Sequence, residues 1–181
     1  MSASRHHSTR LAEASAYLLE GRRQSSQTSY SRRAPASTAL PHLIQARNLL
    51  SHIVEDDPGN PDALELLSHT DECLLDYESA VRHLELAVTA GLPRTPKLLK
   101  RLSNLRESLV FWQDIQLSPE DLDSLGDHLE TLNLDLAEPS LEHTRAWLTR
   151  RVGDSSDVII AAFSRHGGFT DWEVLANIVR G

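Results

Sequence analysis

Along most of the chain the apolar residues return every three or four positions. Residues 11–20, LAEASAYLLE, place Leu11, Ala14, Leu18 and Leu19 at helical spacing and predict a short amphipathic helix. The pattern then lapses. Residues 21–38, GRRQSSQTSYSRRAPAST, are rich in Ser and Arg with Tyr30 as the single aromatic, and read as a mobile linker. The alternative reading is a regulatory segment, in which a phosphorylated Ser or Thr pairs with Arg22, Arg23, Arg32 or Arg33. From Ala39 onward the period is helical throughout, and no segment shows the period-two alternation of a strand. Asn60-Pro61, Thr95-Pro96 and Ser118-Pro119 each put a capping side chain before a proline at the first helical position, where its missing N–H costs nothing. The fold class expected is therefore all-α. The domains expected are an N-terminal helix and linker over 1–38, a helical array over 39–116 and a four-helix domain over 117–181.

Within the array one segment is more specific. Residues 60–91, NPDALELLSHTDECLLDYESAVRHLELAVTAG, place Leu64, Leu67 and Ser68 at large, large and small positions, then Tyr77, Ala80, Leu84 and Ala87 at the turn and in a second helix. Small residues let two antiparallel helices approach, and large ones fill the seam. In this spacing the segment resembles a tetratricopeptide repeat. Upstream, Ala46, Leu50, Ile53 and Pro58 fit the second helix and exit turn of a preceding repeat. Its first helix then falls on the Ser/Arg stretch, so that repeat is either incomplete or completed by residues 11–20 across an insertion. Downstream, Leu98, Leu102, Leu105 and Leu109 form a stripe suited to covering the open end of the stack, with Arg101 where the repeat usually has Leu. The resemblance implies a short antiparallel helix array packed on the C-terminal domain, with a groove for a peptide or protein.

The last third predicts four short helices. Leu122, Leu125 and Leu129 mark the first, and Leu141, Thr144, Trp147 and Leu148 the second. DSSDVIIAAFSRH is apolar nearly all round and reads as central, and Gly167-Gly168 reads as a helix stop rather than a phosphate loop. Thr170-Asp171-Trp172-Glu173 fits a T-x-x-E capping box opening a last helix, with Trp172, Leu175 and Ile178 or Val179 toward the core. HTRAWLTRR followed by GGFTDWEVLANI also resembles the C-terminal domain of an uncharacterised bacterial family with a Gly-Gly-Tyr-Cys-Asp-Cys-Glu-Val-Leu-x-Asn signature and an upstream Cys-x-His. The shared positions are Thr144, Arg145, Trp147, Leu148, Gly167, Gly168, Asp171, Glu173, Val174, Leu175 and Asn177. The family's four Cys and His positions would suit a tetrahedral zinc ion. Here they hold Ala137, Pro139, Thr170 and Trp172, so no structural zinc is expected.

Charge narrows the partners. The first 33 residues carry a net +4 and the other 148 carry −12, and no Lys or Arg lies between Arg106 and Arg145. An acidic body argues against nucleic acid. No apolar run is long enough to span a membrane, and the N-terminus lacks the apolar core of a secretion signal, although its Ser, Arg and His content loosely suggests a transit peptide that Glu13 and Glu20 oppose. The single cysteine, Cys73, forms no internal disulfide, which suits a reducing, cytoplasmic compartment.

Catalytic patterns are absent from the sequence. His128, His143 and His166 are scattered, and no phosphate-binding glycine motif or paired-ligand spacing occurs. Asp123 and Asp127 stand four apart on one helix, as a weak divalent-cation pair or as solvated surface. The function expected is a non-enzymatic interaction module without a cofactor. Glu65, His69 and Glu72 line the exposed stripe of the first repeat helix and suit a partner bearing Lys or Arg. The other reading is an acidic inhibitor or immunity-type protein that covers a basic partner through Asp121, Asp123 and Asp127.

Overall fold

The computed structural model describes residues 2–25, 27, 34–132, 134 and 139–181, with side chains from Ser8 onward, and among the described residues every regular element is a helix. In chain order they are α1 (Ser2–Gln24), α2 (Leu40–Asp56), α3 (Pro61–Cys73), α4 (Tyr77–Thr89), α5 (Pro96–Ile115), α6 (Pro119–Glu130), α7 (Glu142–Val152), α8 (Ser156–Arg165) and α9 (Asp171–Glu173). A 3-10 turn, Gly153–Ser155, precedes α8, and α9 runs on as a π-helix over Val174–Val179. Two compact units result. One comprises Met1–Ser26 with Pro35–Leu109, the other Gln27–Ala34 with Val110–Gly181, so the division falls inside α5.

In the first unit α1 is longer than the sequence pattern predicts. It begins at Ser2 and runs through Gly21 to Gln24 instead of ending near Glu20, which corrects the reading of residues 21–24 as linker. Much of the remaining linker stretch, with Tyr30, Arg32 and Arg33, lies outside the described residues. The reason for the longer helix is packing. Ala14, Leu18, Gly21 and Ser25 form one buried stripe against α2, and a methyl group on Gly21 would stand 2.6 Å from Cδ2 of Leu43. Glycine here is the residue that lets two helices touch, not the one that ends a helix. Arg10 reaches Asp56 at 3.0 Å near one end, and Tyr17 lies 6.2 Å from the ring of His42 near the other, so α1 and α2 run antiparallel.

The hairpin α3–α4 begins each helix at a side-chain cap. Asn60 Oδ1 accepts from Ala63 N at 3.0 Å and Asp76 accepts from Ser79 N at 3.1 Å, capping the two starts. Only Leu74–Asp76 separate the helices, so they must pack antiparallel. Leu64, Leu67, Ser68, Tyr77, Ala80, Leu84 and Ala87 are all buried, and the Ser68 hydroxyl donates to Ala80 O across the seam at 2.7 Å. Leu75 takes the tight turn with φ 61, a left-handed conformation that costs a residue with a Cβ. On α5, Thr95 Oγ1 caps the start by accepting from Leu98 N at 3.2 Å; Leu98 and Leu105 are buried and Leu102 and Leu109 half-buried.

The second unit closes around Phe111, Ile115, Leu125, Phe163, Val174 and Ile178. Ser118 caps α6 by accepting from Asp121 N at 3.1 Å. Helix α8 buries Ile159, Ile160, Ala162 and Phe163 but leaves Val158 53% exposed, so it is amphipathic rather than apolar all round. Gly168 N donates to Phe163 O at 2.8 Å and Gly167 N to Ser164 O at 3.2 Å, with Gly167 at φ 84. This is the glycine helix stop expected at that pair.

Candidate functional site

The face of α3 is the first candidate. Glu65, His69 and Glu72 are half-buried along one stripe, as the spacing predicts, but they are not equally available. Arg101 of α5 places Nε 3.1 Å and Nη2 2.9 Å from Glu72 Oε2, and the same Nη2 donates to Ser68 Oγ at 2.9 Å. His69 Nδ1 stands 3.7 Å from the same carboxylate oxygen. Burial pushes the Glu72 carboxyl up, and hydrogen bonds and charge from His69 and Arg101 outweigh it, so the group sits below its ordinary value. Arg101 thus has a use where a leucine would only fill space: it ties the face of α3 to α5. Glu65 is the acid on this stripe with no ion-pair partner among the described residues.

Directly behind this face lies a polar cluster that the sequence reading missed. Asp71, fully buried on α3, has Oδ1 2.9 Å from Arg47 Nε of α2 and Oδ2 2.7 Å from His83 Nδ1 of α4. Arg47 also reaches Asp76 at 2.6 Å, and Asp76 N donates to Asp71 O at 2.9 Å. Asp76 stays ionised below its usual range: burial raises its carboxyl, but Ser79 and Arg47 hydrogen-bond it and prevail. Three helices therefore share one carboxylate. The signal was available, because Asp71 falls in the buried phase of α3, three and four residues after Ser68 and Leu67.

The acidic residues of α6 form the second candidate. Asp121 accepts from Arg151 Nε of α7 at 2.7 Å, Asp123 is half-buried and Asp127 is exposed. Burial raises the Asp121 carboxyl, but hydrogen bonds from Arg151 and Ser118 hold it below its ordinary value. Arg150 and Arg151 interrupt the negative surface that the sequence suggests for this region. Among the described residues no group of three or more His, Cys, Asp and Glu side chains could hold a metal ion.

The stretch 169–173 is organised by capping. Thr170 Oγ1 accepts from Glu173 N at 3.1 Å as expected, while the Glu173 carboxylate accepts from Phe169 N at 3.1 Å. Asp171, 4% exposed, does more: its two oxygens accept from His143 N at 3.1 Å and Thr144 N at 2.8 Å, completing the cap of α7 that Ser140 Oγ begins by accepting from Glu142 N at 3.0 Å. Trp172 corrects the reading that packed it inside. It is 47% exposed, as Phe169 is 61% exposed, while Leu175, Ile178 and Val179 face the core as expected, joined by Val174. The helix starts one turn too near the surface for its second residue to point inward. Ala137, one of the four positions compared with zinc ligands, lies outside the described residues.

The histidines remain apart. His166 Nε2 lies 3.0 Å from Asp114, which Arg165 also clasps at 3.0 and 2.5 Å, so the pair is tied into an ion-pair cluster. Cys73 is half-buried against the cluster of Leu18, Ala39, Leu43 and Ala46, and burial pushes its thiol up to about 11, which makes it a packing residue and a poor nucleophile. Among the described residues no helix is long and apolar enough to cross a membrane. Comparison of the chain with protein-family models, with curated proteins and with solved structures gives no match.

Proposed function

We propose that this chain is a non-enzymatic protein–protein interaction module, an adaptor or scaffold whose short tetratricopeptide-like array offers a helical groove to a partner bearing Lys or Arg. The observation that carries the reading is the succession of hairpins: α1 against α2, α3 against α4, then α5 joined to α3 through Arg101 and to α4 through the Arg106–Glu85 pair at 2.6 Å. Such a succession leaves one face of each first helix outside the seam, and on α3 that face carries Glu65, His69 and Glu72. A partner's cation has Glu65 to itself and shares Glu72 with Arg101. The single half-buried thiol fits a reducing, cytoplasmic setting.

The alternative, an acidic inhibitor or immunity-type protein acting through Asp121, Asp123 and Asp127, is weakened by the Arg151–Asp121 pair, which neutralises part of that face. Labelled peptides graded in Lys and Arg content, titrated against the full chain, separate the two. Glu65→Lys is expected to weaken the best basic peptide at least tenfold, or about 1.4 kcal/mol, with helical circular dichroism unchanged. Glu65 is the cleaner probe, since Glu72→Lys would also set two cations together at Arg101. Loss of binding on reversing Asp123 and Asp127, with Glu65→Lys silent, transfers the site to α6; binding of no basic peptide at all removes the groove reading.

A further inference from the structure

Between α6 and α7 the second unit has a cleft of about 310 Å³, lined by Ser124, His128, Trp147, Arg150 and Arg151. The Arg151–Asp121 pair at 2.7 Å pins the two helices beside it. Four of the five lining side chains carry hydrogen-bond donors beyond the apolar face of Trp147, and none of the five is a carboxylate. Arg151 uses Nε on Asp121, and Arg150 uses Nε on Ala146 O at 3.1 Å. The terminal amino groups of both guanidiniums, the His128 ring and the Ser124 hydroxyl have no hydrogen-bond partner among the described residues. Exposed donors not used by the protein therefore line one open cleft.

We infer that this cleft binds a single oxyanion, a carboxylate or a phosphate, carried on a flat apolar group that lies against Trp147. A guanidinium pairs with either oxyanion through two parallel N–H donors, which an ammonium cannot reproduce. The indole offers an apolar wall on which a planar group packs. Asp123 and Asp127, each next in sequence to a lining residue of α6, set the size of the ligand. They repel an extended polyanion such as nucleic acid and admit one compact negative head. The site is opposite in sign to the α3 face and independent of the function proposed for it.

Benzoate and phenyl phosphate are the probes, each titrated into the isotopically labelled full chain while the Trp147 indole N–H, the Arg150 and Arg151 Nε–H and the His128 ring are followed by NMR. Saturable shifts of these groups are expected with at least one probe, and which probe saturates at lower concentration tells carboxylate from phosphate. Arg150→Gln should weaken binding at least tenfold, and Ser124→Glu, which places the chain's own carboxylate in the cleft, should abolish it. Glu65→Lys should leave it unchanged. Shifts that fail to saturate, that sodium chloride reproduces at equal ionic strength, or that survive both Arg150→Gln and Ser124→Glu overturn the assignment.

Discussion

In the first unit a fully buried carboxylate, Asp71, is held between Arg47 and His83 from two neighbouring helices; in the second, the core is filled by Phe111, Phe163 and Ile178, and the carboxylate buried among the described residues, Asp171, sits at a helix end. An apolar core tolerates small slips of one helix along another, since one methyl group replaces another at modest cost. A buried charge with fixed partners does not, because any slip strands it. The first unit thus has its helix register pinned at a point, and the second gains stability from volume while its polar groups mark where helices begin.

If that contrast is right, Phe163→Ala should have the largest effect, lowering stability by about 4 kcal/mol through the cavity it leaves, as read from urea denaturation of the full chain. Arg47→Met should follow at about 3 kcal/mol, the cost of leaving the buried Asp71 carboxylate without its cation. Asp71→Leu paired with Arg47→Met should recover most of the loss, and failure to recover would mean that the cluster contributes more than register. Asp171→Ala should cost about 1 kcal/mol, the usual worth of a cap, and hydrogen exchange should quicken at His143 and Thr144 specifically. Leu75→Gly should raise stability by about 0.5 kcal/mol, because relief of the left-handed strain slightly exceeds the entropy that glycine adds to the unfolded chain. The smallest effect is that of pH on Glu72. Its folded carboxyl lies below the ordinary value for a glutamate, so its contribution is present above that ordinary value and is lost as pH falls through the lower folded one. A thermal-midpoint profile of Glu72→Gln should accordingly be flatter than that of the parent chain on the acid side.

The two units also differ in how much of them the residues disclose. Helix existence, the proline-marked starts at Asn60, Thr95 and Ser118 and the glycine stop at Gly167 follow from local rules, and local rules sufficed. Gly21 was misread because a glycine after an amphipathic run has two meanings, and only the proximity of Leu43 decides between them. Trp172 was misplaced for a related reason: helical phase is ambiguous over the first turn, where four successive residues still offer two faces. The stripe on α3 was legible by spacing, but its sharing with Arg101 was not, since 29 residues separate that pair. The α6–α7 cleft was illegible because Arg150 and Arg151 lie beyond the acidic stretch in sequence and beside it only in space.

The Asp171 cap sets an order on synthesis. The amides it satisfies, on His143 and Thr144, precede it by 28 and 27 residues, so these two groups of α7's first turn leave the ribosome without their acceptor and wait for almost all of the second unit to be made. The hairpin of α3 and α4 has no such delay: Asn60 and Asp76 cap amides only three residues ahead of them. A growing chain can therefore complete the ends of its early helices as they emerge, whereas α7 is finished only when a residue from the far side of α8 returns to it.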